Sequence, residues 1–127
     1  MAEDVITGDA VRGGGDLADR ECAACGGGAA RLTGAEIERF ASALTRWQIV
    51  DEHHLTKHYD FADFRAAQRF VNRVGETAEE QGHHPDIAFG WGYCDLKILT
   101  HSIDGLSEAD FILAAKIDRL ANRGETP

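Results

Sequence analysis

No run of apolar residues in this 127-residue chain approaches the ~20 that a membrane-spanning helix requires. Basic charge is scarce as well. Thirteen Lys and Arg stand against 22 Asp and Glu, a formal net charge of −9 with neutral histidines. A surface that acidic repels phosphate backbones and anionic bilayers, so neither a nucleic acid nor a membrane is an expected partner. Met1 to Arg20 hold no basic start followed by an apolar stretch, so no secretory signal is expected and a cytoplasmic location is. Three cysteines, an odd number, do not make a disulfide framework. No glycine-rich phosphate loop follows a predicted strand and there is no Gly-x-Ser-x-Gly elbow, so nothing argues for nucleotides. What is present is a 43% apolar fraction, enough for a core, on a length that suits one domain.

Residues 1–30 differ from the rest. They carry seven of the 14 glycines and no aromatic residue, too little apolar surface to offset the entropy of ordering. They are expected to form a flexible arm ahead of a domain at 31–122. Thr33-x-x-Glu36 is a capping-box pattern, and Ile37, Phe40, Ala41 and Leu44 follow at helical spacing, which predicts a helix over 34–45. Short β-prone runs predict a hairpin with strands at 47–50 and 55–60. Phe64, Ala67, Phe70, Val71, Val74 and Ala78 make one stripe of a long helix over 63–81, stopped by Gly82. Ile87, Phe89 and Trp91 alternate with small residues, and Cys94, Leu96, Ile98 and Thr100 alternate with their neighbours, giving two more strands. Asp104-Gly105 reads as a turn, and Ser107 as the cap of a last helix over 108–121. The order α-ββ-α-ββ-α predicts an α+β fold, a four-stranded antiparallel sheet with three helices packed on one face.

On the last helix Leu113, Ile117, Leu120 and Ala121 form the expected core stripe, with Phe111, Ile112 and Ala115 roughly opposite. A monomer would expose those three, so self-association through this helix is expected.

Histidine is the residue with chemistry to offer, because its ordinary pKa of ~6.5 lets it exchange protons near neutrality. His53 and His54 fall in the predicted hairpin turn and read as exposed; His58 reads as a sheet-surface residue. His83-His84-Pro85 sits between a helix stop and a strand, in chain that proline holds extended. Adjacent side chains there point oppositely, so the pair either lines a pocket or packs in a helix–strand corner. Glu79, four before His83, is placed to orient that imidazole. His101 closes the last strand as either a site or a surface residue. Diverging neighbouring rings argue against a metal. Cys22-Ala23-Ala24-Cys25 lacks the βαβ setting of a redox pair. Asp110, three after Ser107, reads first as part of a helix cap and Asp104 as a turn residue.

Glu79-Glu80-Gln81-Gly82-His83-His84-Pro85-Asp86-Ile87, then Leu99-Thr100-His101 and Gly105-Leu106-Ser107-Glu108-x-Asp110-Phe111, resemble the pterin-4a-carbinolamine dehydratases, also described as dimerisation cofactors of a homeodomain transcription factor. The likeness runs from Leu32 to Leu120 and takes in Trp47, Phe61-x-Asp63-Phe64 and Asn72-Arg73-Val74; the Cys22/Cys25 arm resembles leaders of bacterial members. It implies dehydration of 4a-hydroxytetrahydrobiopterin to quinonoid dihydropterin, in recycling of the pterin cofactor, with no metal or other cofactor. It implies a homodimer or homotetramer, and His83, His84 and His101 as the catalytic histidines. Glu79 and Asp110 are implied as supporting carboxylates, and Pro85, Asp86 and Trp91 are the candidates for touching substrate. Ile87 stands where animal members carry an aromatic residue, and Trp91 is the residue placed to compensate in stacking. The alternative is a protein-binding, coactivator-type module acting through the last helix.

Overall fold

A computed structural model describes residues 17–20 and 30–122. Its elements are α1 (Gly34–Ala41), β1 (Gln48–Val50), β2 (His54–Asp60), α2 (Phe64–Gln81), β3 (Asp86–Gly90), β4 (Tyr93–Ile98) and α3 (Glu108–Leu120), with a 3-10 turn at His101–Ile103. The four strands form one antiparallel sheet in the order β1-β2-β4-β3, the predicted α+β architecture.

Local chemistry accounts for the boundaries. The Thr33–Glu36 capping box forms, with the Thr33 amide donating to Glu36 Oε1 over 2.8 Å. Helix α1 stops at Ala41, four residues earlier than expected, because turns intervene before Arg46 adopts a left-handed φ of 65°. Asp63 caps α2 by accepting from the Ala66 amide (2.8 Å), and Gly82 ends it in the left-handed conformation that glycine adopts without steric cost.

One face of the sheet carries the core. Leu55 and Tyr59 of β2 and Cys94, Leu96 and Ile98 of β4 are buried against Ala67, Phe70, Val74 and Ala78 of α2. The opposite face shows Thr56, His58, Asp86, Asp95 and Lys97, the polar half of the same alternation. Each Leu, Ile or Phe sealed in this way contributes about 1.5–3 kcal/mol. Asp118 ties α3 to the first hairpin. Its carboxylate accepts from Trp47 Nε1 (3.0 Å), Tyr59 OH (2.8 Å) and Lys57 Nζ (2.8 Å).

Helix α3 departs from the expected two-faced pattern. Phe111, Ile112 and Ala115 are buried along with Leu113 and Ile117. Phe40 of α1 stacks on Phe111 at 5.5 Å between ring centroids. Leu17 and Ala18, from a helical turn in the glycine-rich stretch, join the same core. That turn is tied down by Lys116, which donates to the Ala18 carbonyl (2.6 Å), by an Arg119–Asp19 pair (2.9 Å) and by an Arg20–Glu108 pair. The apolar patch from which self-association was expected is therefore covered within the chain. Cys22, Cys25 and the remainder of the predicted arm, apart from Ala30, lie outside the described residues.

Candidate active site

Strand register brings the two histidine-bearing stretches to one end of the sheet. Asp86 pairs with Lys97, so the residues just before β3 lie opposite those just after β4. His83 and His84 precede β3, and His101 follows β4 by three residues. The helix stop aims the first of them. The amides of Gly82 and His83 close onto the carbonyls of Glu79 (3.2 Å) and Ala78 (3.1 Å), and His83 turns inward while His84 stays outside.

His83 is 8% exposed and its Nε2 lies 2.6 Å from Asp110 Oδ1. Asp110 is fully buried, and its other oxygen accepts from the Ser107 amide and the Thr100 hydroxyl, both at 2.8 Å. Because the Thr100 hydroxyl donates to that carboxylate, it accepts from the Ser107 hydroxyl, 2.8 Å away. A carboxylate only accepts, so His83 carries its proton on Nε2. In the neutral ring, Nδ1 is then the free acceptor. Asp110 thus closes the helix cap that its spacing predicted and also fixes an imidazole, joining His83 to the residue immediately before His101.

Glu79 does not orient His83. Its Oε2 meets His84 Nε2 at 2.5 Å on the outside of the molecule, since successive side chains of extended chain diverge. His84, Pro85 and Ile87 line an open cleft of about 620 Å³ with Val71, Asn72 and Glu79 of α2. Asp86 instead lines a cleft of about 630 Å³ on the polar sheet face, with Arg46, His58 and Lys97. None of the three candidate histidines lines that second cleft; the first is lined by His84 alone of the three, and His83 and His101 line neither. Trp91 is 72% exposed on the β3–β4 turn. It stands at the opposite end of β3 from His83 and His84, five strand residues of about 3.3 Å each away.

His101 is exposed and begins the 3-10 turn, its carbonyl accepting from the Asp104 amide at 3.1 Å. His53 and His54 are partly buried and engaged rather than free turn residues. His53 Nε2 is 2.7 Å from Asp104 Oδ1, and the Nδ1 atoms of the two rings are 3.0 Å apart. The His53 hydrogen bond chiefly, aided by Arg31 and His101, lowers the Asp104 carboxyl from its ordinary value. Burial, then the Lys97 charge, lowers His54. His58 is raised because Asp95 (2.5 Å) and Asp60 (2.9 Å) take its two ring nitrogens, a geometry that needs both protonated. Nothing in local spacing signalled the His53–Asp104 pair, whose members are 51 positions apart in the sequence.

The chain's likeness to known proteins converges on one family. The model for pterin 4 alpha carbinolamine dehydratase matches residues 30–120. A Rubrobacter xylanophilus protein with the provisional name pterin-4-alpha-carbinolamine dehydratase is 57% identical over 105 residues, 83% of this chain and 98% of the relative. An Alkaliphilus metalliredigens protein of the same provisional name is 41% identical over 82% of this chain and 95% of its own. The crystal structure of a transcriptional coactivator/pterin dehydratase from Brucella melitensis aligns with TM-score 0.69 and 33% identity, covering 72% of this chain and 99% of that one. A pterin dehydratase-like protein identified as a RuBisCO assembly factor in the alpha-carboxysome aligns with TM-score 0.51 and 29% identity, covering 61% of this chain and 89% of its own. With this coverage and identity, the chain belongs to the pterin 4 alpha carbinolamine dehydratase family.

Proposed function

We propose that the protein is a hydro-lyase that dehydrates 4a-hydroxytetrahydrobiopterin, or a pterin close to it, to the quinonoid dihydropterin and water. The observation that carries the reading is the buried His83–Asp110–Thr100 chain, which holds one imidazole in a single tautomer beside the turn that bears a second. The reaction needs an acid and a base. The acid protonates the 4a hydroxyl, the C4a–O bond breaks as water leaves, and the N5 lone pair forms the C4a–N5 double bond. A base then takes the proton on N5, so one proton is given and one is received. Imidazoles do both near neutral pH, a contribution of typically ~10²–10⁴-fold.

In this assignment His83 and His101 act from opposite sides of C4a as acid or base, each serving one stereoisomer of the hydroxyl. Asp110 holds the His83 proton on Nε2 and so presents Nδ1 to the substrate. His84, paired with Glu79, positions the ring by hydrogen bonding within the cleft it shares with Pro85 and Ile87. Among the described residues no helix is long and apolar enough to cross a membrane, in keeping with a freely diffusing substrate. The docking reading rested on Phe111 and Ile112, which are buried, so catalysis is the reading we adopt.

The test is turnover of freshly generated 4a-hydroxytetrahydropterin by the full chain and by His83→Ala and His101→Ala, with circular dichroism confirming the fold. Losses of ~10²-fold or more in folded variants are expected. Wild-type rates in both would overturn the assignment.

A further inference from the structure

We propose that Arg31 and His53, through Asp104, are positioning residues that set where His101 stands; this rests on the catalytic reading of His101 given above. His101 is exposed, at the start of a three-residue 3-10 turn, so its placement is as good as that of the turn. The base of the turn is closed by main-chain bonds between Thr100 and Gly105 (2.9 and 3.4 Å). Its tip is Asp104, in a left-handed conformation with φ 51° that a non-glycine residue adopts at some cost.

Three groups of Asp104 meet three different parts of the molecule. Its amide donates to the His101 carbonyl (3.1 Å). Its carbonyl accepts from Arg31 Nη2 (2.9 Å), which also donates to the Ile103 carbonyl (2.7 Å). Its carboxylate accepts from His53 Nε2 (2.7 Å), at the tip of the first hairpin. The residue next to Arg31 is itself anchored, because the Leu32 amide donates to the Leu106 carbonyl (2.9 Å). Two elements remote in sequence therefore grip one turn from separate sides.

A second, independent observation points the same way. A Cβ placed on Gly105 would come within 2.8 Å of Arg31 Nε and 3.2 Å of its Cγ. The arginine stem lies across the turn where only a glycine leaves room. Neither Arg31 nor His53 has a place in the acid–base steps, and both act through the turn. Catalytic groups lose rate steeply when displaced, with ~10²-fold for a shift near 1 Å.

The experiment is a double-mutant cycle in the full chain. Arg31→Ala and His53→Gln are each made in the wild type and in a His101→Ala background. In the wild type, kcat is expected to fall roughly 10- to 100-fold with KM little changed. In the His101→Ala background the same substitutions should change kcat by less than about 2-fold, since a residue acting through His101 has nothing left to act on. Equal losses in both backgrounds would overturn the inference. Gly105→Ala, which pushes the Arg31 stem aside, provides a second route if Arg31→Ala folds poorly. Histidine side-chain NMR separates the two levels of the argument. The His101 resonance should shift in Arg31→Ala while that of His83 stays. A wild type without turnover refutes the catalytic reading, yet this NMR comparison still decides whether the clamp exists. An unmoved His101 resonance would refute the clamp.

Discussion

Replacing Asp110 with asparagine keeps the shape and removes one acceptor, which makes it the sharpest probe of the buried network. The carboxylate receives three donors: His83 Nε2–H at 2.6 Å, and the Thr100 hydroxyl and Ser107 amide at 2.8 Å. An amide has one oxygen to offer them. With the oxygen toward Ser107 and Thr100, the NH2 group faces His83, whose Nε2 must then accept, so its proton moves to Nδ1. With the oxygen toward His83, the Ser107 amide faces a donor in a fully buried place. The second arrangement strands one buried donor, a cost of about 1–3 kcal/mol. For a domain of this size each kcal/mol lowers the melting temperature by about 4–8 °C. The first arrangement spares the fold but reverses the ring, so the lone pair no longer faces the substrate. Fixing the wrong tautomer costs up to ~10⁴ in turnover where a carboxylate orients a catalytic histidine. Melting temperature and kcat should therefore be measured on the same preparation, beside Ser107→Ala. The serine variant loses the buried hydroxyl that donates to Thr100 but keeps the Asp110 carboxylate and the amide that donates to it, so it should melt lower and turn over nearly normally. Wild-type kcat in Asp110→Asn, with only the melting temperature reduced, would show that Asp110 is a cap and nothing more, and the tautomer reasoning would fail.

Three further outcomes follow from other parts of the molecule. Asp118→Ala leaves Lys57, with its side chain 11% exposed, without its carboxylate and strands the Tyr59 hydroxyl and Trp47 Nε1; urea unfolding should show a loss of about 3–5 kcal/mol. His58 is raised by Asp95 and Asp60, so its pairing stabilises the fold fully below the unfolded value of ~6.5 and fades as pH rises through the raised folded value. His58→Gln should consequently lower the melting temperature most below pH 6 and least near pH 9. The side chain is half exposed, so screening keeps the effect small, and a gap independent of pH would contradict it. Burial, with some help from Asp95, pushes the Cys94 thiol up to about 12, so peptide mapping after alkylation at pH 8 should find Cys94 unlabelled in native protein and labelled in denaturant.

What could be read from the residues, and what could not, divides along a physical line. Capping boxes, the Gly82 stop and strand alternation are interactions within a few positions, and they emerged where spacing put them: Thr33 with Glu36, Ser107 with Asp110, Leu96 inward beside Lys97 outward. Glu79 shows the limit of the same reasoning. It lies four positions from His83 and five from His84, and the direction of the chain after Gly82 decides for His84. Helix α3 shows a second limit. Periodicity assumes a helix with one wet face, so Phe111, Ile112 and Ala115 looked like a patch awaiting a partner. That assumption fails when the chain returns to cover the other side, as Phe40 and Leu17 do. Polar partners distant in sequence leave no trace in spacing at all, and Asp118 and the His53–Asp104 pair are of that kind. The candidate site sits where these regimes meet. Local rules set the His83-His84-Pro85 corner, but the group that gives His83 its chemical identity comes from a helix cap 27 residues away. A histidine pair in a corner is ordinary; what makes this one a candidate acid–base centre is that the third residue of α3 has a spare carboxylate oxygen pointing at it.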